Sequence, residues 1–185
     1  MQEPKLFMLM LGCRPAGRNT EQHDVFFGIG NTVKDLIPDI KAFWPEAKGN
    51  LHVDAWREVR QVRDFKITVV PQEGAVEESM NSLFFLNLGG YKAGEFEEFH
   101  YKMLAVATDK SAAIRQARQT AFYKHTGSKG AASHIDDKYG VDVDELHQVK
   151  DILPAHHKQK YQLLIQTGEG TEDELHLGYF KLNKL

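Results

Sequence analysis

The feature that most constrains the fold is a stretch of sequence that occurs twice. LFMLMLGCRPAGRNTEQH at residues 6–23 recurs as LFFLNLGGYKAGEFEEFH at residues 83–100. The two stretches align without a gap, since their two glycines, their glutamate and their final histidine all differ by the same 77 residues. This period is too long for a solenoid, so we expect a pseudo-symmetric pair of related units.

The repetition continues downstream. LHVDAW (51–56) is echoed by SHIDDK (133–138), and EVRQVRDF (58–65) by ELHQVKDI (145–152). The sequence therefore predicts a first repeat unit over residues 1–71, a linker over 72–82, and a second repeat unit with a C-terminal strand over 83–185. Because each half is near the lower size limit for an independent core, we expect the two to pack as one globular protein.

The opening apolar run also bears on targeting. Residues 6–11, followed by Gly12 and Cys13, imitate the cleavage site of a lipid-modified secreted protein. However, residues 1–5 carry no net positive charge, and the run recurs in mid-chain, so a buried strand is expected. The single cysteine favours a reducing compartment, and we predict a cytoplasmic location.

Composition limits the partners. The net charge of −3 over 185 residues provides no general attraction to nucleic acid or anionic lipid. No apolar run approaches the roughly 20 residues of a membrane span. A small molecule, a protein partner or a second copy of the chain remain, and an exposed sheet edge would support a homodimer.

Each unit is predicted to contain a strand, a Gly-rich hairpin loop, a strand, a helix and two more strands. The helices are expected over 33–44, capped by Thr32 and Asp35, and over 111–124, capped by Asp109. The fold class is therefore α+β, an internally duplicated strand-strand-helix-strand-strand unit with a mostly antiparallel sheet covered by helices. The strands are expected at 6–12, 21–30, 50–57, 64–71, 83–89, 98–107, 132–137 and 160–167, with one more near the C-terminus.

The combination of LGCRPAGRNTEQHDVFFGIG, a short helix ending in FW, and LHVDAW resembles the bacterial family called domain of unknown function 1543. Members of this family carry one or two copies of the domain. The resemblance covers both halves, although the second copy has Tyr101 in place of Asp24 and Lys138 in place of Trp56. It implies a fold and a bacterial origin, and it implies no activity and no site residues.

Histidines and carboxylates recur at a spacing that suits strands. Residues i and i+2 of a strand share a face about 6.5 Å apart, so Glu21 lies beside His23 and His52 beside Asp54. If these two strands are neighbours, two imidazoles and two carboxylates converge and can hold a divalent metal or divide acid and base roles. The second copy offers the same four residue types, Glu98, His100, His134 and Asp136.

The same residues also fit a structural interpretation, in which a buried imidazole orders a hairpin by bonding a nearby carboxylate or carbonyl. Arg14 and Arg18 suit an anionic ligand, but the second copy has Tyr91 and Glu95 at these positions. An anion site would therefore belong to the first copy alone.

The sequence contains no P-loop, dinucleotide fingerprint, CxxC pair, nucleophile elbow or HExxH helix. The sequence alone does not identify a function, and it supports two hypotheses. The preferred one is a non-catalytic binding or interaction module for a small ligand, a metal ion or a protein partner. The alternative is a small metal-assisted hydrolase-like enzyme that uses the Glu-x-His and His-x-Asp residues.

Overall fold

A computed structural model of the protein describes residues 3–73, 79–91, 94–120 and 141–185, with the backbone alone at 141 and 142. Two compact units are present, Met1–Glu77 with Ile152–Leu185, and Glu78–Asp151. All described strand pairs are antiparallel and helices accompany the sheets, so the predicted α+β class is confirmed.

The described elements follow one another in the order strand, strand, helix, three strands, two strands, helix, strand, two helices, two strands. Three 3-10 turns are also present, at Val33–Leu36, Pro45–Ala47 and Leu182–Lys184. The bounds are β1 (Lys5–Cys13), β2 (Gln22–Gly30), α1 (Ile37–Phe43), β3 (His52–Glu58), β4 (Gln61–Val62), β5 (Phe65–Pro71), β6 (Ser82–Tyr91), β7 (Glu98–Ala107), α2 (Lys110–Ala117), β8 (Val141–Gln148), α3 (Val149–Ile152), α4 (Ala155–Lys160), β9 (Tyr161–Thr167) and β10 (His176–Lys181).

The first unit contains a four-stranded sheet, in the order β10-β3-β1-β2, and a three-stranded sheet, in the order β4-β5-β9. Because side chains alternate along a strand, Phe7, Leu9 and Leu11 of β1 enter one core. This core also contains Leu36 and Ile40, which come from the turn and helix after β2. Gly12 belongs to the opposite face of the sheet.

The second unit repeats this frame, with strand order β7-β6-β8 in place of β2-β1-β3. Phe84, Leu86 and Leu88 of β6 pack with Ala113 and Ala117 of α2. The register repeats too. In each unit a glycine of the central strand (Gly12 or Gly89) pairs with a histidine on the next strand. The other neighbouring strand contains a bulge just before this glycine.

The compact units differ in two ways from the predicted repeat units. Residues from Ile152 onward lie with the first unit, because β9 pairs with β5 and β10 pairs with β3. The strand that pairs with β6 as β3 pairs with β1 is Val141–Gln148, so the VDVDEL stretch takes the place of LHVDAW. The strand predicted at 132–137 lies outside the described residues.

The helix caps agree with the sequence. The carboxylate of Asp35 accepts hydrogen bonds from the backbone N–H groups of Asn31 and Thr32, and Asp109 accepts one from Ala112 at 2.8 Å. The first predicted helix is shorter than expected because a 3-10 turn precedes Ile37. The second ends at Ala117, and its predicted last residues, 121–124, lie outside the described part of the chain.

None of the described helices has both the length and the apolar character needed to cross a membrane.

A buried histidine on α4 fastens this helix to the first sheet. His157 is 6% exposed, and its Nδ1 accepts the backbone N–H of Ile29 at 3.3 Å. Burial lowers the pKa of His157, and the charges of His156 and Lys160 lower it further, while Asp39 opposes them. The ring is therefore held neutral, with its single proton on Nε2, because Nδ1 is an acceptor.

We expect acid to weaken the first unit through His157. Since the pKa of His157 is lower in the folded protein than the ordinary value of about 6.5, the unfolded chain binds more protons as pH falls below that value. The free energy of unfolding should then decrease, and His157→Gln, which keeps an acceptor, should flatten this decrease. Urea denaturation at pH 7.5 and at pH 5.5 measures this decrease in the free energy of unfolding.

The control for this prediction is His156→Gln, because His156 is exposed and its removal should leave most of the pH dependence in place. Equal pH dependence in the wild type and His157→Gln would contradict the assignment.

Candidate metal centre

The centre of the candidate site is a glycine in the middle of a sheet. Gly12 on β1 faces His23 on β2 and His52 on β3. The two strands are not direct neighbours, because β1 lies between them. The two histidines nevertheless reach towards each other over Gly12, where a Cβ atom would overlap Nε2 of His52 and Oδ2 of Asp54.

Four side chains meet above this glycine in a row in which carboxylates and imidazoles alternate. Oε1 of Glu21 lies 3.0 Å from Nε2 of His52, which lies 3.2 Å from Oδ1 of Asp54. The other carboxylate oxygen of Asp54 lies 3.3 Å from Nε2 of His23. The four residues predicted in the first copy therefore come together in the structure.

A bulge places Asp54 in this row. Val53 pairs with Leu11 and Ala55 pairs with Met10, so Asp54 has no partner on β1. The irregular register turns its carboxylate over Gly12, next to the ring of His52. Bulges of this kind re-aim single side chains and recur next to functional sites.

His52 is the most unusual member of the row. Its side chain is only 6% exposed, and the ring of Tyr179 lies over it with the two centroids 4.2 Å apart. Both Nε2 of His52 and Oδ2 of Asp54 are buried and make no directed hydrogen bond with a described residue, although each lies within ion-pair distance of its neighbours in the row. Burial of these two atoms is therefore offset only by their ion-pair contacts.

Consecutive donors of the row are spaced like the ligands of a metal ion, but among the described residues no three donors of this row lie within 4.8 Å of one another. Ligands bound tetrahedrally to zinc at about 2.0–2.1 Å lie roughly 3.3–3.4 Å from one another. The neighbouring donors here lie 3.0–3.3 Å apart. To close around one ion, the row needs a movement of Glu21 and His23, and both side chains are nearly half exposed, at 45% and 44%.

A related cluster lies in the second unit. Nδ1 of His100 is 3.3 Å from Oδ2 of Asp144, and Nε2 of His100 is 3.8 Å from Oε2 of Glu98. Each of the three residues offers one ligand atom within 4.8 Å of the others. A Cβ atom at Gly89 would overlap Asp144, as one at Gly12 would overlap Asp54.

Sequence reasoning missed Asp144. It aligned SHIDDK with LHVDAW, and the predicted residues His134 and Asp136 lie outside the described residues. The Val-Asp pair shared by VDVDEL and LHVDAW is the sequence signal that points to Asp144. Val143 pairs with the residue before Gly89, as Val53 pairs with the residue before Gly12.

The predicted anion-binding arginines lie in the hairpin loop after β1. Both are exposed, and Nε of Arg14 donates a hydrogen bond to the carbonyl oxygen of Arg18 at 3.3 Å. No ion pair links either guanidinium group to another of the described residues.

A third cluster, Asp39 with His156 and His157, also brings three ligand atoms within 4.8 Å. Its chemistry is unsuitable for a metal. A metal at Nε2 of His157 would move the ring proton to Nδ1, which would then face the N–H of Ile29 as a second donor. This cluster therefore has a structural role.

Cys13 packs in the core on the other face of the sheet, and burial and the charge of Glu21 raise the pKa of its thiol. It therefore stays a neutral thiol and supplies no metal ligand.

The fold and the clusters define an α+β protein with histidine and carboxylate groups gathered over a central strand. Residues 18–69 match the model of the family described as Domain of Unknown Function (DUF1543). The chain is also similar to the crystal structure of a protein Il1583 from Idiomarina loihiensis, with 21% identity, 97% of this chain and 99% of that chain covered, and a TM-score of 0.65. This likeness concerns the fold. A comparison with curated proteins gives no match.

Filling the space above Gly12 should disrupt the row. In Gly12→Ala the added Cβ displaces His52 and Asp54, so we expect the free energy of unfolding to fall by about 1–3 kcal/mol. Denaturant titration measures this loss. The matched control is Gly168→Ala, whose Cβ meets only the flexible side chain of Lys66 and should change stability by less than about 0.5 kcal/mol. Equal stability of the two variants would show that the space is not needed.

Proposed function

We propose that the protein is a binding module for a divalent transition-metal ion, held in the first unit by Glu21, His23, His52 and Asp54. The observation that carries this proposal is the buried Nε2 of His52, which points at two carboxylates without a hydrogen bond. A metal ion would satisfy this nitrogen and the buried oxygen of Asp54 together.

The donor types favour zinc and similar ions. Imidazole nitrogen suits zinc, iron, nickel and copper, whereas an all-oxygen set suits magnesium, calcium and manganese. Two imidazoles and two carboxylates form a mixed set of the first kind. His52 and Asp54 are held by β3, whereas Glu21 and His23, at the start of β2, are exposed and can move towards an ion.

The structural interpretation predicts a different arrangement. A histidine that only orders a hairpin would have its buried nitrogen in a directed hydrogen bond, as His157 has with Ile29. His52 lacks such a bond among the described residues, although it is as deeply buried as His157. The contrast between these two histidines supports binding at His52.

A second candidate function, a metal-assisted hydrolase, is favoured by the exposure of the row. Glu21, His23 and Asp54 are 45%, 44% and 31% exposed, so an ion held by them would keep a position open to water. Metal-bound water can act as a nucleophile near neutral pH. Turnover of activated carboxylic or phosphate esters above the rate of the same zinc concentration in buffer would support it, and an equal rate would exclude it for those substrates.

We also propose a domain organisation, a location and an assembly for the protein. The matching frames of the two units support two tandem copies of the family's domain, in a bacterial protein. The single cysteine supports a cytoplasmic location. The strands β10 and β2 end the larger sheet. His157 of α4 covers part of the β2 edge, so the outer edge of β10 is the one that supports a homodimer or a protein partner.

Isothermal titration with zinc tests the metal site. We expect binding of zinc by the wild-type protein in the absence of chelator, and a loss of about tenfold or more in affinity for His52→Ala, because substitutions even outside the first ligand shell cost 10–100-fold. His23→Ala, on an exposed side chain, should give a similar loss while the thermal midpoint is kept.

The control is His156→Ala, which removes an exposed histidine of the structural cluster and should bind zinc as the wild type does. Zinc affinity that is unchanged in His23→Ala and His52→Ala would contradict the proposed site.

A further inference from the structure

We propose that two copies of the chain associate through the outer edge of β10, side by side and antiparallel. The contact is formed by three side chains, called here the edge strip: Leu175, Leu177 and Tyr179. The inference deepens the assembly put forward with the proposed function, and rests on it for the free edge of β10, but it does not depend on metal binding.

The edge strip concentrates exposed apolar surface at one place. Leu175, Leu177 and Tyr179 are 60%, 71% and 64% exposed, and they fall within five consecutive positions. The other large apolar side chains that are exposed among the described residues lie elsewhere in the sequence, at Phe43, Met80, Phe96 and Tyr101. A cluster of this kind marks an interaction surface, whereas single exposed apolar side chains are ordinary.

The edge strip lies on the face of the sheet that carries the row of histidines and carboxylates. Leu177 pairs with Ala55 on β3, and Ala55 pairs with Met10 on β1. Paired residues share a face, and Met10 shares its face of β1 with the glycine under the row. The ring of Tyr179 is on this face too, because it lies over His52 with the two centroids 4.2 Å apart.

The charges around the edge strip select a second copy in the antiparallel direction. Glu172 and Glu174 precede the strip, Lys181 and Lys184 follow it, and all four are exposed. No ion pair links either lysine to another of the described residues. Two antiparallel copies bring the acidic end of each strip towards the basic end of the other, whereas parallel copies would align like charges.

The same direction also matches the apolar side chains. Directly opposite residues of an antiparallel pair lie on the same face, so the edge strip of one copy meets the edge strip of the other. Such a contact uses one patch twice and closes at two copies. The surface is therefore complementary to itself.

A bulge limits the extent of this contact. Between Leu177 and Phe180, two residues of β10 lie opposite one residue of β3. Bulges interrupt an edge and oppose long, open-ended pairing. We therefore expect a small contact and a weak dimer, held by the side chains of the edge strip more than by backbone hydrogen bonds.

Sedimentation velocity of the full chain, over a range of protein concentrations and with chelator present, measures this association without metal ions. We expect a dimer whose share rises with concentration. Leu177→Lys places like charges close together in the contact and should weaken dimerisation about tenfold or more. The matched control is Met80→Lys, which changes an apolar side chain that is 84% exposed and lies outside the edge strip, and should stay within about twofold of the wild type.

A charge reversal tests the antiparallel direction. Glu174→Lys should weaken dimerisation about threefold, since it brings a positive charge towards the basic end of the other copy. Adding Lys181→Glu to this variant should restore dimerisation, because the two ends are again opposite in charge. A defect in folding alone would not be restored by the second substitution.

Three results would overturn the proposal: a wild type that stays monomeric at all concentrations, equal dimerisation of Leu177→Lys and Met80→Lys, and failure of Lys181→Glu to restore Glu174→Lys. If zinc titration finds no binding while dimerisation depends on Leu177, the proposed metal site fails and the dimer stands. If zinc binds to a chain that is monomeric with chelator, the dimer fails and the metal site stands.

Discussion

The candidate site depends on the absence of a side chain at Gly12. In a sheet, residues two strands apart are about 10 Å apart, which normally keeps their side chains from meeting. Gly12 removes the side chain that would lie between His23 and His52, and the bulge at Asp54 brings a carboxylate into the gap. Because the glycine lies in a central strand with β2 and β3 paired on either side, the surrounding backbone is fixed. Three of the four donors are therefore positioned by the sheet, and Glu21 lies at the end of the hairpin loop that leads into β2.

The energetic balance is consistent with the proposed binding role. Burying an imidazole nitrogen and a carboxylate oxygen without hydrogen bonds opposes folding. The first unit tolerates this cost because its core, on the other face of β1, is formed by fully buried aliphatic side chains such as Leu9, Leu11 and Ile40. The ring of Tyr179, from the C-terminal strand, covers one face of His52. The first-unit site therefore combines segments that are more than a hundred residues apart in the sequence.

Much of the fold follows from local sequence patterns, while the site follows only in part. The apolar runs that became β1 and β6 and the cap at Asp109 are local signals, so they are readable from the sequence. The pairing of β9 with β5 and of β10 with β3 is long-range and leaves no periodic trace. The meeting of His23 with Asp54 was conditional on neighbouring strands; it occurs although β1 separates them, because Gly12 leaves the space between them open. Asp144 was missed because alignment of residue types cannot determine which stretch pairs with β6.

The proposed metal site is tested most directly by a crystal structure of zinc-loaded protein with anomalous data collected at the zinc absorption edge. We predict an anomalous peak above Gly12, bonded to Nε2 of His52 and to Nε2 of His23, with carboxylate oxygen from Asp54 or Glu21. A map with no peak above Gly12, and with Nε2 of His52 in a directed hydrogen bond to Glu21, would contradict it and would make the row a structural feature of the hairpin.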